Sequence, residues 1–547
     1  MSPDVAHAVG AALGALGVRT VFGVVGSGNF HVTNALTAAG ARFIAARHEG
    51  GAAVMADAYA RVSGELGVLC VHQGPGLTNA MTGITEAAKS RTPLLILAAE
   101  ATAPRSNFHI DQAGLAAAVG AVPARIASAA TAADDLARAY RTALYECRTV
   151  LLNLPLNVQA ETAPAPFAPP VKPDMTLPGA GPVVIAALAD ALAAASRPVF
   201  LAGRGARHAG QELKNLAERT GALLATSAVS RGLFRGDPFN LDVSGGFATP
   251  VAAELIRDAD LLVSWGCALN MWTTRHGALV GSDTTVVQID IDPDALGAHH
   301  RVDLGIVGDA GATARSVLDE LARRGHSASG YRSIKVAERL ASEGRWRDVP
   351  YEEHAEPGRI DPRTLTAALD DLLPSQRTVA VDSGNFMGYP AMYLDVPDAD
   401  GFVFTQAFQS IGLGLASAIG AAVARPDRLA VAALGDGGAL MGISELETAV
   451  RLGLDLLVVV YDDEAYGAEV HHFGPGGHPL DHVRFPPADI AAIGRGFGCA
   501  SVTVTGPDDL AAVADWIAGP RDRPMVVDAK VTRSEPSWWL AEAFRGH

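Results

Sequence analysis

The chain has 547 residues, 49% of them apolar and 19% charged, with a formal net charge of −16 at pH 7. That length exceeds what one hydrophobic core organises, so two to four domains are expected, and the apolar content excludes extensive disorder. The acidic balance argues against nucleic acid and against an anionic membrane surface, since both need clustered cations. Cys70, Cys147, Cys267 and Cys499 lie far apart with no CxxC pair, which excludes a zinc site by spacing and suits buried thiols in a reducing compartment. Asp4 in place of a basic leader, and no apolar run of about 18 residues, predict a cytoplasmic protein without a membrane span.

In chain order, Thr20–Gly23 and Phe43–Ala46 read as strands, followed by a helix around Gly50–Val62, a strand Val68–Val71, a helix Asn79–Ser90 and a strand Leu94–Ala98. A stretch dense in proline, Ala160–Pro182, forbids a helix and suits an extended connector; it holds Pro164, Pro166, Pro169, Pro170, Pro173 and Pro178. Beyond it, strands are expected at Val199–Ala202, Leu261–Ser264 and Val286–Asp290, with helices between. Arg324–Pro362 is polar with one short helical piece and reads as a second boundary. Strands Thr378–Asp382, Leu429–Leu434 and Leu456–Tyr461 follow. Short, fully apolar strands separated by helices point to parallel sheets covered on both faces. The expectation is an α/β protein of three domains, each a mainly parallel sheet flanked by helices, at residues 1–160, 183–325 and 360–535.

The strongest chemical signal lies between Leu429 and Glu469. An apolar strand runs into Gly435-Asp436-Gly437-Gly438, a helix follows with Ile443, Leu446, Val450 and Leu454 at helical spacing, and a second apolar strand ends in Asp462-Asp463. This places Asp436 and Asp463 at the carboxyl ends of neighbouring strands, where open α/β sheets bind ligands. The glycines let backbone approach a phosphate, and two carboxylates facing a diphosphate suit Mg²⁺. GDG alone is an ordinary turn; the whole strand–GDG–helix–strand–DD unit is not.

That unit resembles the diphosphate-anchoring motif of thiamine-diphosphate enzymes, and Ser444–Ala449 resembles the corresponding helix of acetolactate synthases and 2-keto acid decarboxylases. The resemblance implies thiamine diphosphate and Mg²⁺ as cofactors. It implies Asp436, Asp463 and the Ala465 carbonyl as metal ligands, and Gly384, Asn385, Gln409, Ile411, Gly435, Gly437, Gly438 and Tyr466 as cofactor contacts. The family ends its motif in an asparagine pair. Here Asp462-Asp463 stands instead, and the extra charge beside a diphosphate is expected to tighten metal binding and repel the cofactor. Arg47–Arg61 resembles the pyrimidine-binding segment, which implies that Glu49 protonates the cofactor's pyrimidine ring so that its own amine becomes a base. Gln409–Gly414 is similar to the segment that bends the cofactor, with Ile411 as the wedge and the Gln409 carbonyl receiving the amine.

On the substrate side, Gly26-Ser27-Gly28-Asn29 ends the first strand, and His72–Asn79 is similar to the GPG-x-TN loop of acetolactate synthases. Asn107–Gln112, with His109, sits where that group carries a Phe-Gln loop. Ser27 and His72 match proton-handling positions of benzoylformate-decarboxylase-like enzymes, and Glu469 matches a catalytic glutamate of pyruvate-decarboxylase-like enzymes; His471 and His472 adjoin it. The middle segment resembles the family's central domain at Gln288–Pro293 and Val302–Asp309. Gly203-Arg204-Gly205 completes no G-x-G-x-x-G because His208 takes the last position, so no flavin is expected.

The resemblance implies decarboxylation of a 2-keto acid with transfer of the resulting enamine to a second carbonyl, as in acetolactate synthase. The alternative is non-oxidative decarboxylation of the benzoylformate-decarboxylase type. A non-catalytic cofactor-binding homologue and a dinucleotide-dependent oxidoreductase are rivals of other classes. Relatives build the site between two subunits, so a homodimer or homotetramer is implied.

Overall fold

The computed structural model describes residues 3–165, 167, 177–328, 330–354 and 356–543. Pro166, Pro169, Pro170 and Pro173 of the connector lie outside the described residues. Pro182 opens the helix Pro182–Ala194 in its first turn, where a missing N–H costs no intrahelical bond.

Three six-stranded parallel sheets follow one another along the chain. The first contains β1 (Thr20–Gly23), β2 (Arg42–Ala45), β3 (Gly67–Val71), β4 (Leu94–Glu100), β5 (Val122–Arg125) and β6 (Thr149–Pro155). The second contains β7 (Pro198–Ala202), β8 (Leu223–Thr226), β9 (Asn240–Val243), β10 (Leu261–Trp265), β11 (Thr285–Asp290) and β12 (Leu304–Val307). The third contains β13 (Arg377–Val381), β14 (Phe402–Phe404), β15 (Leu429–Gly435), β16 (Leu456–Asp462), β17 (Ala500–Val504) and β18 (Met525–Lys530). The expected three-domain α/β architecture is what the chain adopts.

The first and third sheets share one topology, β2-β1-β3-β4-β6-β5 and β14-β13-β15-β16-β18-β17. In each, strand order reverses between the first strand of the domain and the third, opening a crevice at their carboxyl ends. The central sheet, β12-β11-β10-β7-β8-β9, reverses between β7 and β10. There Gly203 packs backbone against backbone: a Cβ on it would lie 2.4 Å from the Gly266 carbonyl oxygen. The turn needs its glycine for close packing.

The first and third domains share a core. The helix Glu49–Ser63 lies on the helix Gly414–Ala424, and a Cβ on Gly420 would sit 2.3 Å from the Met55 carbonyl oxygen. Ala52, Ala53 and Ala56 join Ala416, Ile419 and Leu446 in one buried cluster. Small side chains on both helices allow that approach, and dispersion between many close atoms holds it.

Two elements differ from expectation. The helix expected from Asn79 begins at Pro75, because proline suits the first helical turn. The helix after the GDG turn is broken at Gly442–Ser444 into Asp436–Gly442 and Glu445–Leu452. The break coincides with the buried Glu445 carboxylate accepting from the Arg47 and His48 amides at 3.1 and 3.0 Å, across the domain contact.

Candidate active site

The crevice between β13 and β15 holds a cavity of about 160 Å³. Gly384 and Asn385 line it from the loop after β13, and Gly435, Asp436, Gly437 and Gly438 from the turn after β15. Asp463, Ala465, Tyr466 and Glu469 line it beyond β16, with Ile411 from a fourth loop. Eleven of the predicted site residues therefore converge on one opening. Phe386 forms the floor beneath the glycines, stacked on Tyr461 at 5.2 Å; a Cβ on Gly435 would come within 3.2 Å of its ring. On Gly437 a Cβ would reach 2.6 Å from the Tyr466 ring, and on Gly467 2.1 Å from Asp463 Oδ2. The chain's own backbone walls this cradle, and side chains at these positions would close it.

Asp436 and Asp463 are the charged pair of the cavity. Burial, then each other's charge and that of Asp462, hold Asp436 well above the usual carboxylate range; burial chiefly does the same for Asp463. Among the described residues neither carboxylate has a Lys, Arg or His within ion-pair distance. Two buried carboxylates without a counter-cation, beside a glycine-lined space, fit a hard divalent cation carrying a diphosphate. No cluster of three His, Cys, Asp or Glu side chains that could hold a metal occurs among the described residues, so the remaining donors have to be carbonyl, phosphate or water oxygens.

Of the two aspartates that stand in place of the asparagine pair, Asp462 does not line the cavity, although its charge still raises Asp436 and Asp463. Asp462 is 1% exposed, its Oδ2 is ion-paired with Lys530 Nζ, and its Oδ1 accepts from the Glu464 amide at 3.0 Å. Lys530 also reaches Asp528 at 3.1 Å. One lysine thus faces both carboxylates inside the sheet. Glu464 itself, in a left-handed conformation (φ +57°), is paired with Arg359 at 2.7 Å and with Arg533, so the loop carrying Asp463 is braced from two sides.

The loop bearing Gln409 and Ile411 is also clamped. Gln409 takes φ +61°, a conformation that costs a non-glycine residue roughly 1 kcal/mol. On one side Glu86, fully buried in the first domain, accepts from the Ala407 and Phe408 amides at 3.2 and 2.7 Å. Arg61 holds that carboxylate ionised, despite a burial that alone would raise it. On the other side Asp382 accepts from the Gly412 and Leu413 amides at 2.9 and 3.2 Å. Ile411 faces the cavity; Gln409 is exposed outside it.

A second cluster forms at the matching crevice of the first domain. Gly76 separates Glu49 from His72: a Cβ on it would lie 3.4 Å from Glu49 Oε1 and 3.1 Å from His72 Cβ. Asn79 Nδ2 donates to Glu49 Oε2 at 3.0 Å. The Gly28 amide, next to exposed Ser27, donates to His72 Nδ1 at 3.2 Å, which leaves the ring proton on Nε2. Burial lowers the His72 pKa below its usual value, against the opposing pull of Glu49. Phe108 packs edge-on against the ring at 5.2 Å. Buried Gln112 braces the neighbouring turn, accepting from the Gly74 amide at 3.4 Å and donating to Asn153 at 2.6 Å. His109 is turned aside, its Nδ1 on the Ala101 carbonyl at 2.9 Å.

The two clusters do not meet within one chain. Every residue lining the diphosphate-side cavity falls between 362 and 532, and Ser27, Glu49, His72 and His109 are not among them. Lys530, Glu86, Asp382 and Glu445, which position the site, escaped the sequence reading. Their partners lie on other elements, and of the four only Glu445 falls in a stretch the sequence marks, Ser444–Ala449.

Three family models match the chain in order: the N-terminal TPP binding domain of thiamine pyrophosphate enzymes over residues 3–118, their central domain over 185–317, and their C-terminal TPP binding domain over 382–529. A Pseudomonas aeruginosa protein named probable 2-ketoarginine decarboxylase is 31% identical, over 90% of this chain and 88% of its own length. The catabolic acetolactate synthase of Raoultella terrigena is 28% identical, over 94% and 95%. The sulfoacetaldehyde acetyltransferase of Rhodobacter capsulatus is 29% identical, over 83% and 81%.

Proposed function

The chain belongs to the thiamine pyrophosphate enzyme family, and from that premise we propose that it decarboxylates a 2-keto acid without oxidation, with Mg²⁺ held by Asp436 and Asp463. When bound, thiamine diphosphate would supply a nucleophilic carbon and an electron sink for the loss of CO₂. Asp436, Asp463 and the Ala465 carbonyl would hold the metal, while Gly384, Asn385, Gly437, Gly438 and Tyr466 would surround the diphosphate. Ile411 would pack against the bound cofactor as its wedge, and the backbone carbonyl of Gln409, exposed beside the cavity on the same clamped loop, would accept from its amine. Glu49 exchanges a proton with the pyrimidine.

The observation that carries decarboxylation followed by protonation is Glu469, on the first turn of the helix Gly467–Phe473 and lining the same cavity as Asp463. A carboxyl there delivers a proton where CO₂ has left. Neutral His72, with its Nε2 proton, and the Ser27 hydroxyl orient the substrate carboxylate or donate from the opposite face.

Transfer of the decarboxylated unit to a second carbonyl is the other reading. The Gly74–Asn79 turn favours it, being similar to that of acetolactate synthases, and relatives named as a synthase and an acetyltransferase add support. Because the Glu49–His72 cluster and the Asp436–Asp463 cavity open separately, a homodimer or homotetramer in which two chains pair these halves fits best. Four free cysteines suit a cytoplasmic enzyme.

Incubation with a panel of 2-keto acids, Mg²⁺ and thiamine diphosphate tests the proposal. CO₂ release with a simple aldehyde as product is expected. A product carrying two joined carbonyl units establishes the second reading, and no CO₂ from any member of the panel contradicts both.

A further inference from the structure

The C-terminal segment contacts the cavity through residues that lie outside the motifs read in the sequence. After β18 the chain runs along the opening, where Val531 and Thr532 line it. The Arg533 and Ser534 amides then bond Glu356 Oε1 at 3.2 and 3.0 Å. Trp539, 4% exposed, fills a notch cut by Gly388, where a Cβ would lie 2.1 Å from the indole. Trp538 is pinned to the preceding domains by Trp346 at 5.3 Å and by the Arg275 guanidinium at 5.3 Å. Between these anchors Ser537, 1% exposed, donates its hydroxyl to Asn385 Oδ1 at 2.8 Å.

Asn385 lines the cavity and sits across Gly467 from Asp463, a Cβ on Gly467 being 3.2 Å from Asn385 Cβ. An asparagine beside an anion has two orientations of opposite effect: its N–H groups attract the anion, and its carbonyl repels it. We propose that Ser537 is a positioning residue that fixes the Asn385 amide with its nitrogen directed into the cavity, so that it donates to the cofactor diphosphate. The inference rests on the cofactor reading above. Trp539 in the Gly388 notch sets the hydroxyl, the hydroxyl engages Oδ1, and Nδ2 is the group left to donate.

The test is a calorimetric titration of the full-length protein with thiamine diphosphate in excess Mg²⁺, alongside thermal unfolding without cofactor. The variants are Ser537→Ala, Ser537→Thr, Asn385→Ala and the double variant Ser537→Ala/Asn385→Ala. Loss of one neutral hydrogen bond predicts Kd raised roughly five- to tenfold in Ser537→Ala. The cofactor-free Tm should fall by no more than the loss of one buried hydrogen bond entails, and Ser537→Thr, which keeps the hydroxyl, should bind like wild type. The double variant should bind no more weakly than Asn385→Ala alone, which isolates the path through Asn385. Wild-type binding with Ser537→Ala within twofold of it overturns this inference alone, as does equal weakening in Ser537→Thr or full additivity in the double variant. No binding by the wild type overturns the cofactor reading and this inference with it.

Discussion

Asp462 and Lys530 stand in register on adjacent strands β16 and β18, ion-paired inside the third sheet. Asp462 is the first of the two aspartates that stand in place of the asparagine pair, and Lys530 pairs with it away from the cavity. Lys530→Met leaves a buried carboxylate unpaired and is expected to lower stability by on the order of 3 kcal/mol. Adding Asp462→Asn should restore most of that loss. Denaturant unfolding of the single and double variants measures it; additive losses contradict the pairing.

Glu49→Gln removes the proton donor but keeps the shape and the Asn79 contact. Turnover should fall by about 10²–10⁴, the usual worth of a positioned acid–base group, while cofactor Kd changes little. Single-turnover kinetics beside a binding titration separate the two effects.

His72 gives a pH dependence of defined sign. Burial lowers its folded pKa below 6.5, so the neutral, Nε2-protonated ring persists through neutral pH and is lost only as pH falls below that value. The added proton goes to Nδ1, where the Gly28 amide already donates, and breaks that contact. The kcat/KM profile should therefore carry an acid limb below about pH 6.5 that His72→Asn abolishes along with most of the activity. A His72→Asn profile with the same acid limb assigns it to another group.

Glu469→Gln probes product fate. Without the carboxyl proton, release of the simple aldehyde should slow, and in the presence of an added carbonyl acceptor the share of joined product should rise. Product analysis reads this directly, and an unchanged ratio removes Glu469 from proton delivery.

Much of this was legible in the sequence because it is encoded locally. Unbroken apolar strands give parallel sheets buried on both faces, and GDG, Glu49 and the Gly74–Asn79 turn each lie within a few consecutive residues. The supporting contacts were not legible, since they join residues far apart in the chain: Glu86 to the Phe408 amide, Glu445 to the His48 amide, Ser537 to Asn385. A carboxylate that caps a distant backbone leaves no periodicity and no motif. For the same reason the Asp462–Lys530 pair was not legible, because Lys530 is its neighbour only once β16 and β18 pair.

Asp436 and Asp463 are proposed to hold Mg²⁺ for a thiamine diphosphate seated among Gly384, Gly437 and Gly438. Calorimetric titration of thiamine diphosphate into the protein, with Mg²⁺ or with chelator, for wild type and Asp436→Ala, tests it directly. Binding that requires the metal and disappears in Asp436→Ala is the predicted result. Binding that ignores the chelator, or that Asp436→Ala retains at wild-type affinity, contradicts it.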